Sequence, residues 1–522
     1  MKEWVGAGYW LTRYPRRTCF MVVWPHSSSR ESTLVRVLLV DLNNFARYPT
    51  VAIGLLAALL RERGEDVEVF SPLSVGAPGV PREPPPRAWG AWEARARHWT
   101  ATTPNVAVRH LRRGLERRSL PIRGGRRRAL LAHFDRLLAS GPEVVLVSTY
   151  LMYFDLCREL SRRCQRAGVP LLLGGSAFSQ PDVVNAWSEV GAAGIVGGEV
   201  EPFLHELVRN AAEGEPLDAF PGVTPRGAEA CPPARPLDDL DALPFPDYRD
   251  FPWHLYPNRI TPILSGRGCA WGVCGFCSDV TSATGRSFRS RSPENLLEEL
   301  ETQAERQASR LFVFTDLKIN SDRGMWAALL GKLPERIPGA SWVGSVHVDG
   351  DGSGGLHARE LQAARKAGMV RLTTGLESGS QRLLDRLAKG TDLERSSRFL
   401  RDAGAAGISV RVTMIVGAPG EEVQDVDASA RFLEEHRNAI ERVTLNRFQL
   451  MTGTPLHLRW KREPEGHKLR AVEAPRDGTV ELVSDRALSS QHRAAVGRLI
   501  DVVHRINRRA LRGAARRFEG VM

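Results

Sequence analysis

From residue 35 onward, short apolar runs alternate with amphipathic stretches, whereas residues 1–33 show no clear period and read as an N-terminal extension. Residues 37–40 (Val-Leu-Leu-Val) form a continuous apolar run closed by Asp41, the pattern of a strand covered on both faces. Residues 50–61 have helical periodicity and stop at Gly64, and residues 67–70 read as the next strand. Residues 77–128 break the rhythm with Pro84-Pro85-Pro86, several Trp and a run of Arg, which predicts a partly helical insertion. The alternation resumes with a strand at 144–148, a helix to Ala167, a strand at 171–173 ending in Gly174-Gly175, and a strand-like stretch at 194–199 leading into a helix near Pro202. Over residues 34–214 this predicts a doubly wound parallel sheet, whose ligands sit beyond the carboxyl ends of the strands. No Gly-x-Gly-x-x-Gly follows the first strand, so a dinucleotide fold loses support.

Residues 215–257, rich in Pro and Asp, read as a linker running along the surface. A second α/β array occupies residues 258–455. Its strands are predicted at 260–264, 311–314, 342–346, 370–374, 409–416 and 443–449, with helical patterns between them. The first helix has a start signal, with Ser292 as cap, Pro293 at the first helical position and Glu294 in the first turn. Six strand–helix units make a partial barrel, and such barrels carry their chemistry on loops at the strand carboxyl ends. Residues 456–522 predict a basic, helical C-terminal tail. The fold class is α/β: a doubly wound parallel sheet, then a partial barrel, then the tail.

Composition narrows function more than fold. With 522 residues, 42% hydrophobic and 25% charged, the chain is neither disordered nor fibrous. No apolar run approaches the ~18 residues of a membrane-spanning helix. The net charge of +12 is concentrated in two places. Residues 82–128 hold thirteen Arg against three Glu, and residues 456–522 hold fifteen Lys or Arg against eight Asp or Glu. Such blocks attract nucleic acid, phosphate or an acidic leader peptide, or simply face water. Only 7 of the 72 basic residues are Lys, an imbalance that codon composition explains as readily as phosphate recognition, so nucleic acid is the less favoured partner. Seven Cys are too sparse for a secreted disulfide scaffold and point to a cytoplasmic protein. Cys157 and Cys164, seven apart in a helical pattern, predict a shared buried face.

Three of the seven thiols crowd into nine positions directly after the first strand of the second array: Cys269, Cys274 and Cys277, in Ser265-Gly-Arg-Gly-Cys-Ala-Trp-Gly-Val-Cys-Gly-Phe-Cys277. Glycines free the backbone so that one loop can wrap a compact metal centre. A structural zinc would need a fourth ligand, and His254 lies fifteen residues upstream, beyond a predicted strand. Three thiolates suit a four-iron cluster with one iron left open for an exchangeable ligand. Iron–sulfur, zinc and coincidence all remain open on spacing alone.

With these thiols and the stretches that follow them, the chain resembles the cobalamin-binding radical S-adenosylmethionine (SAM) enzymes over residues 34–455. The family spacing is Cys-x3-Cys-x2-Cys with an aromatic before the third Cys; Phe276 fits, and the first gap here is one residue longer. Gly375-Leu-Glu377-Ser378-Gly-Ser-Gln381, with Leu384 and Lys389-Gly390 after it, is similar to the fourth-strand motif that contacts SAM. Ile415-Val-Gly417-Ala-Pro419-Gly-Glu421 resembles the fifth-strand glycine motif beside the adenine. Phe314-Thr-Asp316 followed by Asn320 is similar to the second-strand motif, with Leu317 where a second Asp is common. Gly453-Thr-Pro455 resembles the turn that closes the barrel. Each is an ordinary turn or strand end taken singly; their order and spacing after the thiol loop carry the likeness. Tyr48-Pro49-Thr50 with its following helix, Ser148-Thr149-Tyr150, Gly174-Gly175 and Gly198-Glu199 stand where that family's cobalamin domain has its strand-end motifs. The Asp-x-His-x-x-Gly signature of histidine-ligated cobalamin is absent.

The resemblance implies a Rossmann-like cobalamin-binding sheet followed by a TIM-type (β/α)6 radical SAM barrel. It implies a [4Fe-4S] cluster on Cys269, Cys274 and Cys277, and SAM against Asp316, Glu377, Ser378, Gly417 and Pro419. It implies cobalamin against Tyr48, Pro49, Ser148, Thr149, Gly174, Gly175 and Glu199. The expected activity is a radical C-methyltransferase acting, through a 5′-deoxyadenosyl radical, on an unactivated carbon of a peptide or natural-product intermediate, with flavodoxin or ferredoxin as electron donor. A non-methylating ring contraction, cyclisation or oxidation is the nearer rival, and a non-catalytic cobalamin or nucleic-acid binder the more distant one. A methylthiotransferase is disfavoured, because that group carries three further N-terminal cysteines and Cys157, Cys164 and Cys231 are poorly spaced for a second cluster.

Overall fold

The apolar runs of the N-terminal half become β1 (Arg36–Asp41), β2 (Asp66–Phe70), β3 (Val144–Ser148), β4 (Leu171–Gly174), β5 (Gly194–Val196) and β6 (Val223–Pro225). They pair in the order β2-β1-β3-β4-β5-β6, parallel throughout except that β6 runs antiparallel to β5. The structure, a computed structural model, describes residues 34–83, 90–103, 105, 107, 108, 111, 112, 122–278, 288–350, 354–463, 469–484 and 489–521. The N-terminal extension, the Pro84–Pro86 run and part of the Arg-rich insertion lie outside the described residues.

Strand periodicity places successive side chains on opposite faces. Leu38, Val40, Val145 and Val147 pack with the helices Gly124–Ala139 and Phe154–Ala167, whereas Val37, Leu39, Val144 and Leu146 face Val51–Glu62 and Leu204–Glu213. Each such buried aliphatic side chain contributes about 1.5–3 kcal/mol, so both faces of the sheet are firmly covered. Cys157 and Cys164 share the first of these cores as their spacing predicts, and burial pushes the Cys157 thiol up to about 12.

The 215–257 segment corrects the expectation of a surface linker. It supplies β6 and buries Phe220, Tyr248, Phe251 and Tyr256 in the second core. The Tyr248 hydroxyl donates to the Pro262 carbonyl at 3.0 Å. Aromatic burial outweighs a composition otherwise typical of loops.

The second array forms β7 (Ile260–Ile263), the short antiparallel pair β8 (Gly266–Arg267) and β9 (Arg289–Ser290), then β10 (Leu311–Phe314), β11 (Ser341–Val346), β12 (Met369–Glu377), β13 (Ser409–Val416) and β14 (Ile440–Arg447). Six of them make a parallel sheet in the order β14-β13-β12-β11-β10-β7, the six predicted units. Ser292 caps the first helix as expected, its Oγ accepting the Asn295 N–H at 3.2 Å. Outward residues such as Phe312, Phe314, Trp342, Leu372, Val412 and Met414 build the largest core with the surrounding helices. Trp342 is fully buried there, edge-on to Phe314, and its indole N–H donates to the Ala367 carbonyl at 2.7 Å.

After the barrel come β15 (Leu450–Met451), β16 (Leu469–Ala474) and β17 (Thr479–Ser484), which form an antiparallel sheet in the order β15-β17-β16, and then the Ser490–Asn507 helix. The tail is therefore not only helical, as its composition suggests. Gly478 at φ +62° after Asp477 supplies the turn of the β16–β17 hairpin. The far end also departs from a solvent-facing basic tail: Phe518 and Val521 are buried with Phe45, Tyr48, Ile260, Val313, Val343 and Val370, closing the barrel interior toward the amino ends of its strands. The start of the insertion enters the same interior. Glu83 lies 3.4 Å from Arg371 on β12 and 3.6 Å from Arg442 on β14, and Arg371 is only 1% exposed.

Candidate functional site

The thiol loop leaves the carboxyl end of β7 and is fixed at both flanks. At its start, buried Asp316 accepts the Ser265 hydroxyl at 2.6 Å and the Ser265 and Gly266 N–H groups at 3.1 and 2.9 Å. Burial pushes the Asp316 carboxyl up to about 6, against the lowering effect of those hydrogen bonds. Two residues before Cys269, Arg267 pairs with Glu199 at 3.0 Å and Glu201 at 2.6 Å, both from the loop after β5, and Arg289 pairs with Glu199 at 2.7 Å. These side chains are 10–16% exposed, so the clasp is largely desolvated.

In the middle of the loop, the Gly275 N–H donates to Leu387 O and the Gly275 carbonyl accepts the Leu456 N–H, both at 2.9 Å. The Trp271 indole N–H donates to Ala388 O at 3.0 Å, and its ring lies so close to Gly390 that a Cβ there would collide. Cys269, Cys274 and Cys277 are all partly buried. Burial raises the Cys274 thiol, Lys389 opposes that shift, and Cys269 and Glu377 add to it, so Cys274 lies among a second thiol, a cation and a carboxylate. Among the described residues, no group of three His, Cys, Asp or Glu converges tightly enough to hold a metal ion. The donor chemistry is three accessible thiols spread along one anchored loop beside a lysine, which suits a cluster that takes one thiolate per iron.

Facing this loop, β12 ends at Glu377 with a register shift between Gly375 and Glu377. Glu377 has φ +62°, a left-handed conformation costly for a non-glycine residue and concentrated at functional sites. Its buried carboxylate accepts the Thr413 hydroxyl at 3.2 Å and lies 3.6 Å from the Lys389 ammonium. Burial raises its pKa, with Lys389 and Thr413 pulling the other way. Beyond the end of β11 stand His347 and Asp349. Lys318 and Asp349 pair at 3.0 Å, and the His347 ring lies 6.1 Å from Trp271. Burial, with Lys389 and Lys318 nearby, pushes His347 down to about 3, so it is neutral, and its Nε2 makes no hydrogen bond among the described residues, with Asp349 Oδ1 3.7 Å away. Thr413, Lys318, His347 and Asp349 were not read as site residues. For His347 and Asp349 the signal is the alternation of apolar and polar residues along 343–349, and Thr413 alternates with apolar residues on β13, whereas Lys318, in the loop after β10, carries none.

The other SAM candidates divide into two kinds. Ser378 is buried, its Oγ accepting the Ser380 N–H at 3.1 Å and lying 3.3 Å from Ser429 Oγ, so it fastens the strand end to the Val423–Glu435 helix. Asp316 likewise acts on the protein, through the thiol loop. Gly417, at φ +85°, has no protein atom within 4 Å of where a Cβ would stand, and its N–H donates to the Glu421 carboxylate at 3.0 Å. Pro419 lies two residues on in the same turn, its carbonyl accepting Arg386 Nε at 3.1 Å.

The cobalamin candidates gather at the carboxyl end of the first sheet, with differing access. Ser148 and Gly174 are partly exposed, and Gly174 has open space beside its Cα. Ser148 Oγ accepts Asn43 Nδ2 at 2.9 Å. Tyr48 and Pro49 are buried, Tyr48 within the barrel-closing cluster. Thr149 turns inward toward Cys157. Gly175 is required by the protein itself, because a Cβ there would stand 2.6 Å from the Thr149 carbonyl. Glu199 is committed to Arg267 and Arg289, and it also accepts the Leu237 N–H at 2.7 Å.

Comparison with known proteins agrees with this geometry. Residues 263–433 match the radical SAM superfamily. An uncharacterized methyltransferase of Pyrococcus horikoshii is 26% identical over 249 residues, covering 46% of this chain and 52% of that protein. The anaerobic magnesium-protoporphyrin IX monomethyl ester cyclase of Rubrivivax gelatinosus is 25% identical over 279 residues, covering 51% and 48%. The chain thus spans about half the length of these curated relatives. Among solved structures, the radical SAM methyltransferase TsrM of Kitasatospora setae superposes with a TM-score of 0.62 at 19% identity, over 90% of this chain and 88% of that one. The cobalamin-dependent SAM radical enzyme OxsB superposes with a TM-score of 0.63 at 16% identity, over 86% and 64%. Both likenesses extend well beyond the matched segment, and at these identities they speak for the fold. No described helix is long and apolar enough to cross a membrane. A radical SAM domain implies a [4Fe-4S] cluster and SAM. The chain therefore carries a radical SAM domain at residues 263–433, set within the two-sheet α/β fold of solved cobalamin-dependent radical SAM enzymes.

Proposed function

We propose that this protein is a cobalamin-dependent radical SAM methyltransferase that modifies carbon in a peptide or small natural product. The observation that carries the reading is the opposition of the anchored three-thiol loop to Glu377, whose left-handed backbone turns a buried carboxylate toward Lys389 and Thr413. Cys269, Cys274 and Cys277 would hold the cluster, Glu377 and the 417–419 turn would border SAM, and Ser148 and Gly174 would meet cobalamin at the open end of the first sheet. Bound there, the cluster with SAM supplies radical chemistry and cobalamin supplies a methyl carrier.

The chain's own residues do the rest. Asp316 and the Arg267 clasp keep the loop in one shape, Ser378 fixes the strand end that carries Glu377, and Phe518 with Val521 excludes water from the far end of the barrel. An electron donor such as flavodoxin or ferredoxin is the proposed redox partner. Relatives named as cyclases favour a second reading, a radical ring contraction, cyclisation or oxidation without methyl transfer.

The test is anaerobic reconstitution with iron, sulfide and cobalamin. The expected result is a cluster spectrum that changes on adding SAM, release of 5′-deoxyadenosine under reduction, and loss of both in Cys269→Ala. Zinc in the loop with no spectral response to SAM would overturn the reading. Product mass separates the two chemistries, since only methylation adds a carbon.

A further inference from the structure

The radical SAM match ends at residue 433, yet a side chain from far beyond it reaches one turn of that domain. His492 sits in the first turn of the Ser490–Asn507 helix, its own N–H received by the Ser489 hydroxyl at 3.1 Å. Its imidazole Nε2 lies 2.9 Å from Glu421 Oε1, and both side chains are 4% exposed. A carboxylate only accepts, so Nε2 carries the proton. Both oxygens of Glu421 lie 3.0 Å from the Gly417 N–H, and Gly417 is the residue with open space beside it at φ +85°. The helix that bears His492 is itself immobilised, burying Ala495, Val496, Leu499 and Ile500 in the barrel core. The result is a continuous chain of contacts from a core-anchored helix, through imidazole and carboxylate, to the backbone of the glycine turn.

We propose that His492 is a positioning residue for SAM: by holding Glu421 in place it fixes the Gly417–Pro419 turn, making the C-terminal helix part of the SAM site. This rests on the reading that the turn borders SAM. Without the imidazole, Glu421 is a buried carboxylate that has lost a charge-assisted partner, and it relaxes by rotating away from Gly417. A free Gly417 N–H then samples several orientations, and SAM must order the turn as it binds.

The experiment uses full-length, cluster-loaded protein under anaerobic conditions, with SAM affinity read by equilibrium dialysis and backbone protection of residues 413–424 read by hydrogen exchange. Wild type must bind SAM; if it does not, the functional reading fails before this inference is reached. His492→Ala is expected to weaken SAM about tenfold, the equivalent of about 1.4 kcal/mol, with iron content unchanged and exchange at 413–424 accelerated. His492→Gln, whose amide N–H stands near the position of Nε2, is expected to restore affinity and protection, whereas His492→Asn, one atom shorter, is expected to behave like alanine. That Gln–Asn contrast decides the matter even if the alanine variant does not fold. SAM affinity within twofold of wild type in both the Ala and Asn variants, or equal losses in Gln and Asn, would overturn the proposal.

Discussion

Arg267→Met removes the cation that joins the loop after β5 to the thiol loop while keeping most of the aliphatic stem. Arg267 is 16% exposed and faces Glu199 and Glu201, which are 11% and 10% exposed. Glu199 keeps Arg289, but Glu201 loses the guanidinium at 2.6 Å, and its other oxygen already has no partner among the described residues. Removing one member of a buried pair costs about 3–5 kcal/mol. Discounting for the partial exposure gives about 2–3 kcal/mol, a roughly 30- to 150-fold change in the folding constant. Urea denaturation of the apo protein measures this directly, and the double variant Glu201→Gln/Arg267→Met should recover most of the loss, because no unpaired charge remains. Acid sensitivity provides a second reading. Burial alone would raise Glu199, but Arg289, Arg267 and the Leu237 N–H outweigh it and hold its pKa below the usual carboxylate range. Its stabilisation is thus present above the unfolded value near 4 and fades as pH falls below it. In Arg267→Met the folded-state pKa of Glu199 rises toward the unfolded value, so less of this stabilisation is there to lose and its fading ends at higher pH. A single-variant loss under about 0.5 kcal/mol, the level of an exposed surface pair, or additive behaviour of the double variant, would refute the reasoning.

Three further outcomes follow from the site. Glu377→Gly relieves a left-handed backbone but strips the largely buried Lys389 ammonium of its carboxylate, so the apo protein should lose a net of about 1–2 kcal/mol in urea unfolding while the spectral response to SAM disappears; a folded variant that still responds would remove Glu377 from the SAM site. Asp316, raised to about 6, is uncharged in the folded protein below that value, so its contribution is full below the unfolded value near 4 and is lost as pH rises through 6. Asp316→Asn should therefore flatten the stability of the apo protein between pH 4 and 6 relative to wild type, as read from urea midpoints. Gly390→Ala introduces a collision with the Trp271 ring at φ +67° and should cost at least about 1–3 kcal/mol, with poorer iron loading on reconstitution than wild type.

Elements whose identity depends on local pattern were legible. The six barrel strands, the Ser292 cap and the buried face shared by Cys157 and Cys164 follow from periodicity of two or 3.6 and from capping chemistry. What depends on distant partners was not. Glu199 occupies a strand-end position in both readings, but only the fold reveals that two arginines from the other array occupy its oxygens. Thr149 and Ser378 likewise point at the protein's own interior. His347 carries no local signal beyond inward alternation and Lys318, in a loop, carries none, because what distinguishes them is burial beside Trp271 and Asp349. The β16–β17 hairpin is obscured for a different reason: charge dominates the composition of the tail, although Asp477-Gly478 marks the turn.

The entry of Glu83 into the barrel has a consequence for synthesis. Its partner Arg371 lies 288 residues further along the chain. At about 5–20 residues per second, roughly 15–60 s separate the emergence of the two from the ribosome. Throughout that interval the first sheet can form and bury Ala77 and Ile122, but the segment at Glu83 has no partner in the barrel. The N-terminal half made alone should therefore expose this segment permanently and be the more prone to aggregate, and co-expression of the two halves is the arrangement under which it should be rescued.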